Sequence, residues 1–287
     1  MTTKCNSKES AITNVLQKLY RKYNRRNLIK PDPLQFVYNY SSRADMEISG
    51  LLSAVLAYGR VEQIQNSLTK LFRLMGDSPY EFVRDFNKAR SRKLHGFRHR
   101  FTTGDDISDM LMLLKKVFKK YDNIENYFLL GYSKTDHNII PALTYFSDSL
   151  LKIHTMEHAG ETNRGLKYLL VSPAEGSACK RLNLFLRWMV RDDRVDAGLW
   201  KHVDKAKLVV PVDVHMGRLC RILGFHNNKT VSLKTAIKIT EMFARIEPSD
   251  PVKYDFALSR VGIIENCTGK YRIDCELCEL SSFCLQR

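Results

Sequence analysis

The sequence predicts an all-α protein with short, compact connections, on three observations. Apolar residues recur at the helical period along most of the chain, strand-like runs are few, and turn signals come as brief clusters rather than long linkers. Ile48, Leu51, Leu52, Val55 and Leu56 repeat at i, i+3, i+4, i+7 and i+8, which places them on one face of a first amphipathic helix. Ile107, Met110, Leu111, Leu114 and Phe118 mark a second helix in the same way. Over 180–191, Leu182, Phe185, Leu186 and Met189 face one way, and Lys180, Leu184, Arg187 and Arg191 form the opposite, basic stripe. Met216, Leu219, Cys220 and Leu223 give a further stripe, with His215, Arg218 and Arg221 on the other side. Leu208-Val209-Val210 is the best strand signal, and it runs straight into Pro211. Pro31-Asp32-Pro33, Gly76-Asp77-Ser78-Pro79, Ser172-Pro173 and Pro248-Ser249-Asp250-Pro251 supply the punctuation.

Charge narrows the class of partner. Lys and Arg number 46 against 31 Asp and Glu, leaving a net charge of +15, a surplus that points to a polyanion, above all nucleic acid. It is concentrated in Lys18–Lys30 and Lys88–Arg100, neither of which contains an acid. The start MTTKCNSKESAITN has no apolar signal core, and no window approaches the roughly eighteen apolar residues of a membrane span. The expectation is a soluble protein of a reducing, cytoplasmic compartment, nucleoid-associated if bacterial. Cys5, Cys179 and Cys220 are scattered; the last two lie in apolar helical stretches and read as small buried hydrophobes.

The other cysteines are not scattered. Cys267, Cys275, Cys278 and Cys284 stand as C-x7-C-x2-C-x5-C near the end of the sequence. Only Cys275-x2-Cys278 has the spacing of a zinc knuckle, whereas zinc ribbons and fingers bring two such pairs or a matching pair of histidines. Three unequal intervals in one compact tail suit thiolates at the corners of an iron–sulfur cube better than a tetrahedral point ion. Zinc is the alternative.

Residues 211–223, PVDVHMGRLCRIL, carry the second strong signal. Pro211 fixes an extended entry, Asp213 stands at the N-cap, and the Met216 stripe follows at helical spacing. An aspartate there is by itself an ordinary cap. Upstream, Ser172-Pro173-Ala174-Glu175-Gly176-Ser177-Ala178-Cys179-Lys180 combines a glycine turn, with a helix starting near Ser177, and a lysine. Ser172 with Glu175, and Pro173 between them, also reads as a capping box with proline at N1.

These residues resemble the helix-hairpin-helix DNA glycosylases of the endonuclease III type. Val212-Asp213-Val214-His215 with Arg218 is similar to the family segment that carries its catalytic aspartate. The four cysteines are similar to its C-terminal iron–sulfur loop, with one extra residue in the first interval. The resemblance is close over 211–287. In the hairpin the chain departs from the family pattern: Lys180 lies four residues after Gly176 and 33 before Asp213. Archaeal 8-oxoguanine glycosylases of the same superfamily have a separation close to this one. ACKRLNLFLRWMVR and LAYGRVEQI also look like an uncharacterised bacterial branch.

The resemblance implies two all-α lobes with a DNA-binding cleft between them: a helical barrel over 45–204 that ends in the hairpin region, and a cluster-bearing lobe made of 1–44 and 205–287. It implies a [4Fe-4S] cluster on Cys267, Cys275, Cys278 and Cys284, and double-stranded DNA containing a damaged base as partner. The activity implied is base excision, with Lys180 as nucleophile forming a Schiff base and Asp213 as its partner. The enzyme is then a bifunctional glycosylase and AP lyase, with 8-oxoguanine the first choice of lesion. An oxidised pyrimidine, or a monofunctional reaction using Asp213 and water, is the alternative. Gly176, Ser177, Arg187, His215 and Arg218 are expected on DNA. Arg60, Gln63 and Gln65, in and after the Tyr58-Gly59-Arg60 turn, lie where relatives fill the gap left by the extruded base. Trp188 and Trp200 are candidates to stack on that base, although a place in the core is the commoner outcome for such residues. A non-catalytic nucleic-acid-binding protein with a structural metal and an Asp213 that only caps is the rival from another class.

Overall fold

In the computed structural model the apolar spacing becomes helix along almost the whole chain. The structure describes residues 2–161, 163–265, 267 and 269–284, with 2–9 by their backbone alone. The elements are α1 (Thr2–Tyr23), α2 (Arg43–Val55), α3 (Val61–Met75), α4 (Pro79–Arg84) and α5 (Lys88–Leu94). A two-stranded hairpin, β1 (Arg98–His99) and β2 (Thr102–Thr103), precedes α6 (Gly104–Tyr121), α7 (Ile124–Leu129) and α8 (Ile140–Glu157). Then come α9 (Arg164–Leu169), α10 (Lys180–Val190), α11 (Val214–Ile222), α12 (Leu233–Ile246) and α13 (Asp255–Ile264). Among the described residues no helix is long and apolar enough to cross a membrane.

Helix starts are fixed by side chains that accept otherwise unpaired N–H groups. Ser42 accepts from Asp45 N, Ser78 from Glu81 N with Pro79 in the first turn, and Ser232 from Thr235 N. Thr103 and Asp106 form a reciprocal capping box at the head of α6.

The predicted helices sit on their apolar faces: Ile48, Leu51, Leu52 and Val55 of α2, and Leu182, Phe185, Leu186 and Met189 of α10, are all buried in one continuous core. α10 packs directly against α2. The approach is closest at Gly50, where a Cβ would meet Met189 Cε at 2.8 Å, so only glycine admits it without displacing that side chain. α1 packs on α13, which also meets α11, while Pro33–Asn39 packs on α2 and α3.

Two sequence expectations are corrected, and the core placement of the tryptophans is met. Leu208-Val209-Val210 is buried but forms no strand; strand pairing appears instead at Arg98↔Thr103 and His99↔Thr102. Pro211 offers no N–H, and the run is fastened by Val210 N donating to Thr240 Oγ1 at 3.0 Å. The helix expected near Ser177 begins at Lys180, because Gly176 and Cys179 both adopt left-handed backbone (φ +78 and +45). Trp188 and Trp200 are core residues, 0% and 1% exposed, and the Trp200 indole N–H donates to the buried Glu47 carboxylate at 2.7 Å.

Candidate active site

Two turns that differ in chemistry bring the site together. After α9, Ser172 caps a short 3₁₀ turn, Pro173–Glu175, and Gly176 ends it in left-handed backbone that costs glycine nothing. Ala174, Glu175 and Gly176 are exposed, and Gly176 O accepts from Leu233 N at 2.9 Å, tying the turn to the head of α12. Ser177 Oγ accepts from Cys179 N at 3.2 Å, and the chain enters α10 at Lys180. On the other side Asp213 N-caps α11, its Oδ1 accepting from Met216 N at 2.8 Å.

The second carboxylate oxygen of Asp213 is thereby left to face Lys180: Nζ to Oδ2 is 3.5 Å. The side chains retain 30% and 36% of their exposure, so the pair is reachable from solvent. An ion pair this exposed contributes only about 0–1 kcal/mol to stability. A cation in the first turn of α10 also faces the positive end of the helix dipole, at a cost of about 0.3–1 kcal/mol. Stability is thus a weak reason for this lysine to stand here.

Arg181, the next residue, is fixed differently. Its guanidinium lies over Tyr168 at 4.2 Å and Tyr58 at 5.2 Å, and donates to Val55 O at 2.7 Å and to Tyr168 O. Burial lowers its pKa from the ordinary arginine value. Around it Tyr58, Phe101 and Tyr168 form an aromatic cluster with centroids 4.5–5.2 Å apart, stacked for Tyr58–Phe101 and edge-on for the other two pairs. Phe101 is 50% exposed at the tip of the β1–β2 hairpin, beside Arg100 in left-handed backbone (φ +55). The hairpin is anchored from within. His99 is fully buried, with Nδ1 2.9 Å from Ser67 Oγ and Nε2 3.0 Å from Tyr58 O, and burial pushes its pKa below the usual value. A carbonyl only accepts, so Nε2 carries the proton and the ring is neutral.

This hairpin is the functional element that sequence reasoning missed. The basic run Lys88–Arg100 ends one residue before Phe101, and an exposed phenylalanine directly after a cluster of arginines is the signal that marks it. Arg60 and Gln63 lie exposed beside it; a Cβ on Gly59 (φ +99) would touch Arg100 Cδ at 2.9 Å and Gln63 Oε1 at 3.4 Å. Gln65 is engaged elsewhere, donating to Pro31 O and accepting from Gln35 Nε2, each at 2.7 Å.

Arg187 is a correction. It does not join a basic stripe on nucleic acid: its side chain is 2% exposed and pairs with Asp196 at 3.2 Å and with Asp255. Arg191, 3% exposed, pairs with Asp250 at 2.9 Å, Asp193 at 3.0 Å and Asp196. Burial works against the charge of Arg187, but the carboxylates outweigh it and its pKa is raised. Burial also raises Asp255 and brings Asp196 to about 6, against the pull of both arginines. Charge on a helix implies a wet face only where no carboxylates lie beneath it, and their positions are not readable from the helix alone.

The cysteine tail joins the site through Arg218. This side chain contacts His215 Nδ1 at 3.1 Å and donates to Cys267 O at 3.4 Å, and Gly269 (φ +76) leaves room for it, since a Cβ there would lie 2.9 Å from Arg218 Cδ. His215 itself is exposed. Cys267, Cys275, Cys278 and Cys284 are free thiols lining one cavity, whose apolar wall is Leu219, Ile222, Leu223, Val261 and Leu280. Burial raises the Cys278 pKa, and Arg272 N donates to Cys275 Sγ at 3.3 Å. Among the described residues no three of these sulfurs lie within 4.8 Å of one another. Four zinc–sulfur bonds of about 2.3 Å draw the sulfurs to within about 3.8 Å. Four free thiols in one apolar-walled cavity are a donor set that suits a thiolate-bound metal group.

A protein family described as "Protein of unknown function (DUF2400)" matches residues 32–264, a span that includes Lys180 and Asp213 and stops before Cys267. No curated protein and no solved structure matches the chain.

Proposed function

The chain belongs to the DUF2400 family of proteins of unknown function, and from its own residues we propose that it is a base-excision DNA glycosylase with AP lyase activity. One observation carries this reading: Lys180 and Asp213, 33 residues apart in sequence, meet at 3.5 Å where solvent reaches both. The glycosidic bond of a damaged base is out of reach inside a duplex, so the nucleotide is first rotated out. Asp213 accepts a proton from the Lys180 ammonium and passes it to the departing base, which leaves with the electron pair of the C1′–N bond; the carboxylate, an anion again, then steadies the positive sugar. The free amine bonds to C1′, the ring oxygen leaves and an imine forms; loss of the 2′ proton then expels the 3′ phosphate by β-elimination. Phe101 with Tyr58 and Tyr168 offers an apolar face for unpaired bases, and Arg60, Gln63, Gly176, Ser177, His215 and Arg218 frame the approach. An oxidised purine, 8-oxoguanine first, is the proposed lesion.

Cys267, Cys275, Cys278 and Cys284 would hold a [4Fe-4S] cluster. When bound, the cluster supplies thiolate bonds that fix the tail and, through Arg218, the first turns of α11. Purified protein should then be brown, absorbing broadly near ~400 nm.

The test is a panel of duplexes, each with one damaged base, scored separately for base release and strand nicking. Lys180→Gln is expected to abolish nicking and borohydride trapping. Asp213→Asn is expected to slow base release by about 10²–10⁴-fold while leaving binding nearly intact. Normal excision by Asp213→Asn would reduce the aspartate to a cap and overturn the assignment.

A further inference from the structure

A second cluster of ligand-type side chains lies on elements that carry neither the Lys180–Asp213 pair nor the cysteines. Asp109 of α6 faces His154 in the last turn of α8 and His158, the residue that caps that helix. The two histidines are four residues apart, so they share a helix face, and their rings are stacked with centroids 4.0 Å apart. One ligand atom from each of the three residues lies within 4.8 Å of the others.

The hydrogen-bond pattern leaves ligand atoms of the cluster uncommitted. His158 Nδ1 is 2.9 Å from His154 O; a carbonyl only accepts, so Nδ1 carries the proton and Nε2 presents its lone pair. His154 is 5% exposed, and its Nε2 has no hydrogen-bond partner. That nitrogen lies 3.1 Å from Asp109 Oδ2, a separation that alone reads as an ion pair. The nitrogen nonetheless makes no hydrogen bond to that oxygen. A buried ring nitrogen without a partner is costly unless something else fills its lone pair. Asn163 Nδ2 donates to Asp109 Oδ2 at 2.5 Å and holds the carboxylate in place, the outer contact that metal-binding carboxylates receive. The cluster opens on a groove of about 380 Å³ lined also by Lys88, Ser91, Lys116 and Glu157.

We propose that Asp109, His154 and His158 bind a divalent transition-metal ion of the zinc class, with the remaining coordination position open to this groove. Two imidazoles and one carboxylate suit zinc and its neighbours in the first transition row rather than magnesium or calcium, which favour all-oxygen sets.

The test uses the full chain and Zn²⁺ alone, by equilibrium dialysis with metal analysis, with Co²⁺ as a spectroscopic probe. The wild type should bind one ion beyond the metal of the cysteine tail, and the cobalt form should lack sulfur-to-metal charge transfer at this site. His158→Gln alters an exposed side chain and should fold as the wild type by thermal unfolding without metal, yet bind Zn²⁺ at least ~10-fold more weakly. Asp109→Asn should weaken it likewise, and Cys278→Ser should retain the nitrogen–oxygen site. Unchanged binding in both His158→Gln and Asp109→Asn would overturn the proposal, as would loss of the ion in Cys278→Ser.

Discussion

Asp213 shows how one side chain serves two ends. Its Oδ1 caps α11 and its Oδ2 faces Lys180, so charge and capping can be separated by substitution. Asparagine caps about as well as aspartate, so Asp213→Asn should unfold within a few tenths of a kcal/mol of the wild type, while Asp213→Ala should lose about 1 kcal/mol. Chemical denaturation of both variants beside their excision rates checks this; equal stability losses would mean that the cap bond is not the one described. Arg187 supplies the opposite case. Truncating it to Met would leave Asp196 and Asp255 buried without their partner, at a cost of about 3–5 kcal/mol, with no change in the salt dependence of DNA binding. The aspartate and the lysine were legible as motif residues because each stands beside a turn with its own signature. The burial of Arg187 was not, because its partners, Asp196 and Asp255, lie outside the helix, the second 68 residues on.

At the scale of elements, the β1–β2 hairpin carries both a buried titratable histidine and a half-exposed phenylalanine. His99 titrates below its ordinary value of 6.5 because burial disfavours its charged form. The unfolded chain therefore takes up a proton that the folded chain refuses. The stability this group contributes is complete above pH 6.5 and is lost as pH falls through the window beneath it, at no more than about 1.4 kcal/mol per pH unit. Thermal unfolding followed from pH 7.5 to 5 should show this decline in the wild type and a shallower one in His99→Gln. Phe101→Ala should fold normally, since the ring is half exposed, and should weaken binding to DNA with unpaired bases by about 1–3 kcal/mol. The longer helices were readable from apolar spacing alone. The hairpin was not, because strands of two residues are too short for alternation to register, and Arg100 stands in left-handed backbone where a glycine or asparagine would have announced a turn.

For the whole molecule, the proposed attraction to DNA would draw on the net charge of +15, and the fold decides how much of that charge is available. Lys18 and Lys22 pair with Glu279 and Glu265, and Arg187 and Arg191 are sealed inside, while Arg21, Arg25, Arg26 and Lys30 of the first basic run, Arg60, and most cations of α5 and the hairpin stay exposed. About four to six phosphate contacts follow, so log K for duplex DNA should fall against log salt with a slope of about −4 to −5. A slope near zero would assign the charge to another purpose. The buried arginines have a mechanical consequence as well. Arg187 and Arg191 fix the last turn of α10, whereas Lys180 stands at its first residue, some 15 Å away along the axis. The ion network holds the far end of the helix, and Arg181, bonded to Val55 O and Tyr168 O, holds the near one. A tilt of about four degrees at the far end carries the amine through about 1 Å, a displacement of the size that costs a catalytic group about a hundredfold. A conservative change such as Asp193→Asn, which leaves Arg191 its Asp196 and Asp250 partners, is the place to look for variants that fold, bind and fail to turn over.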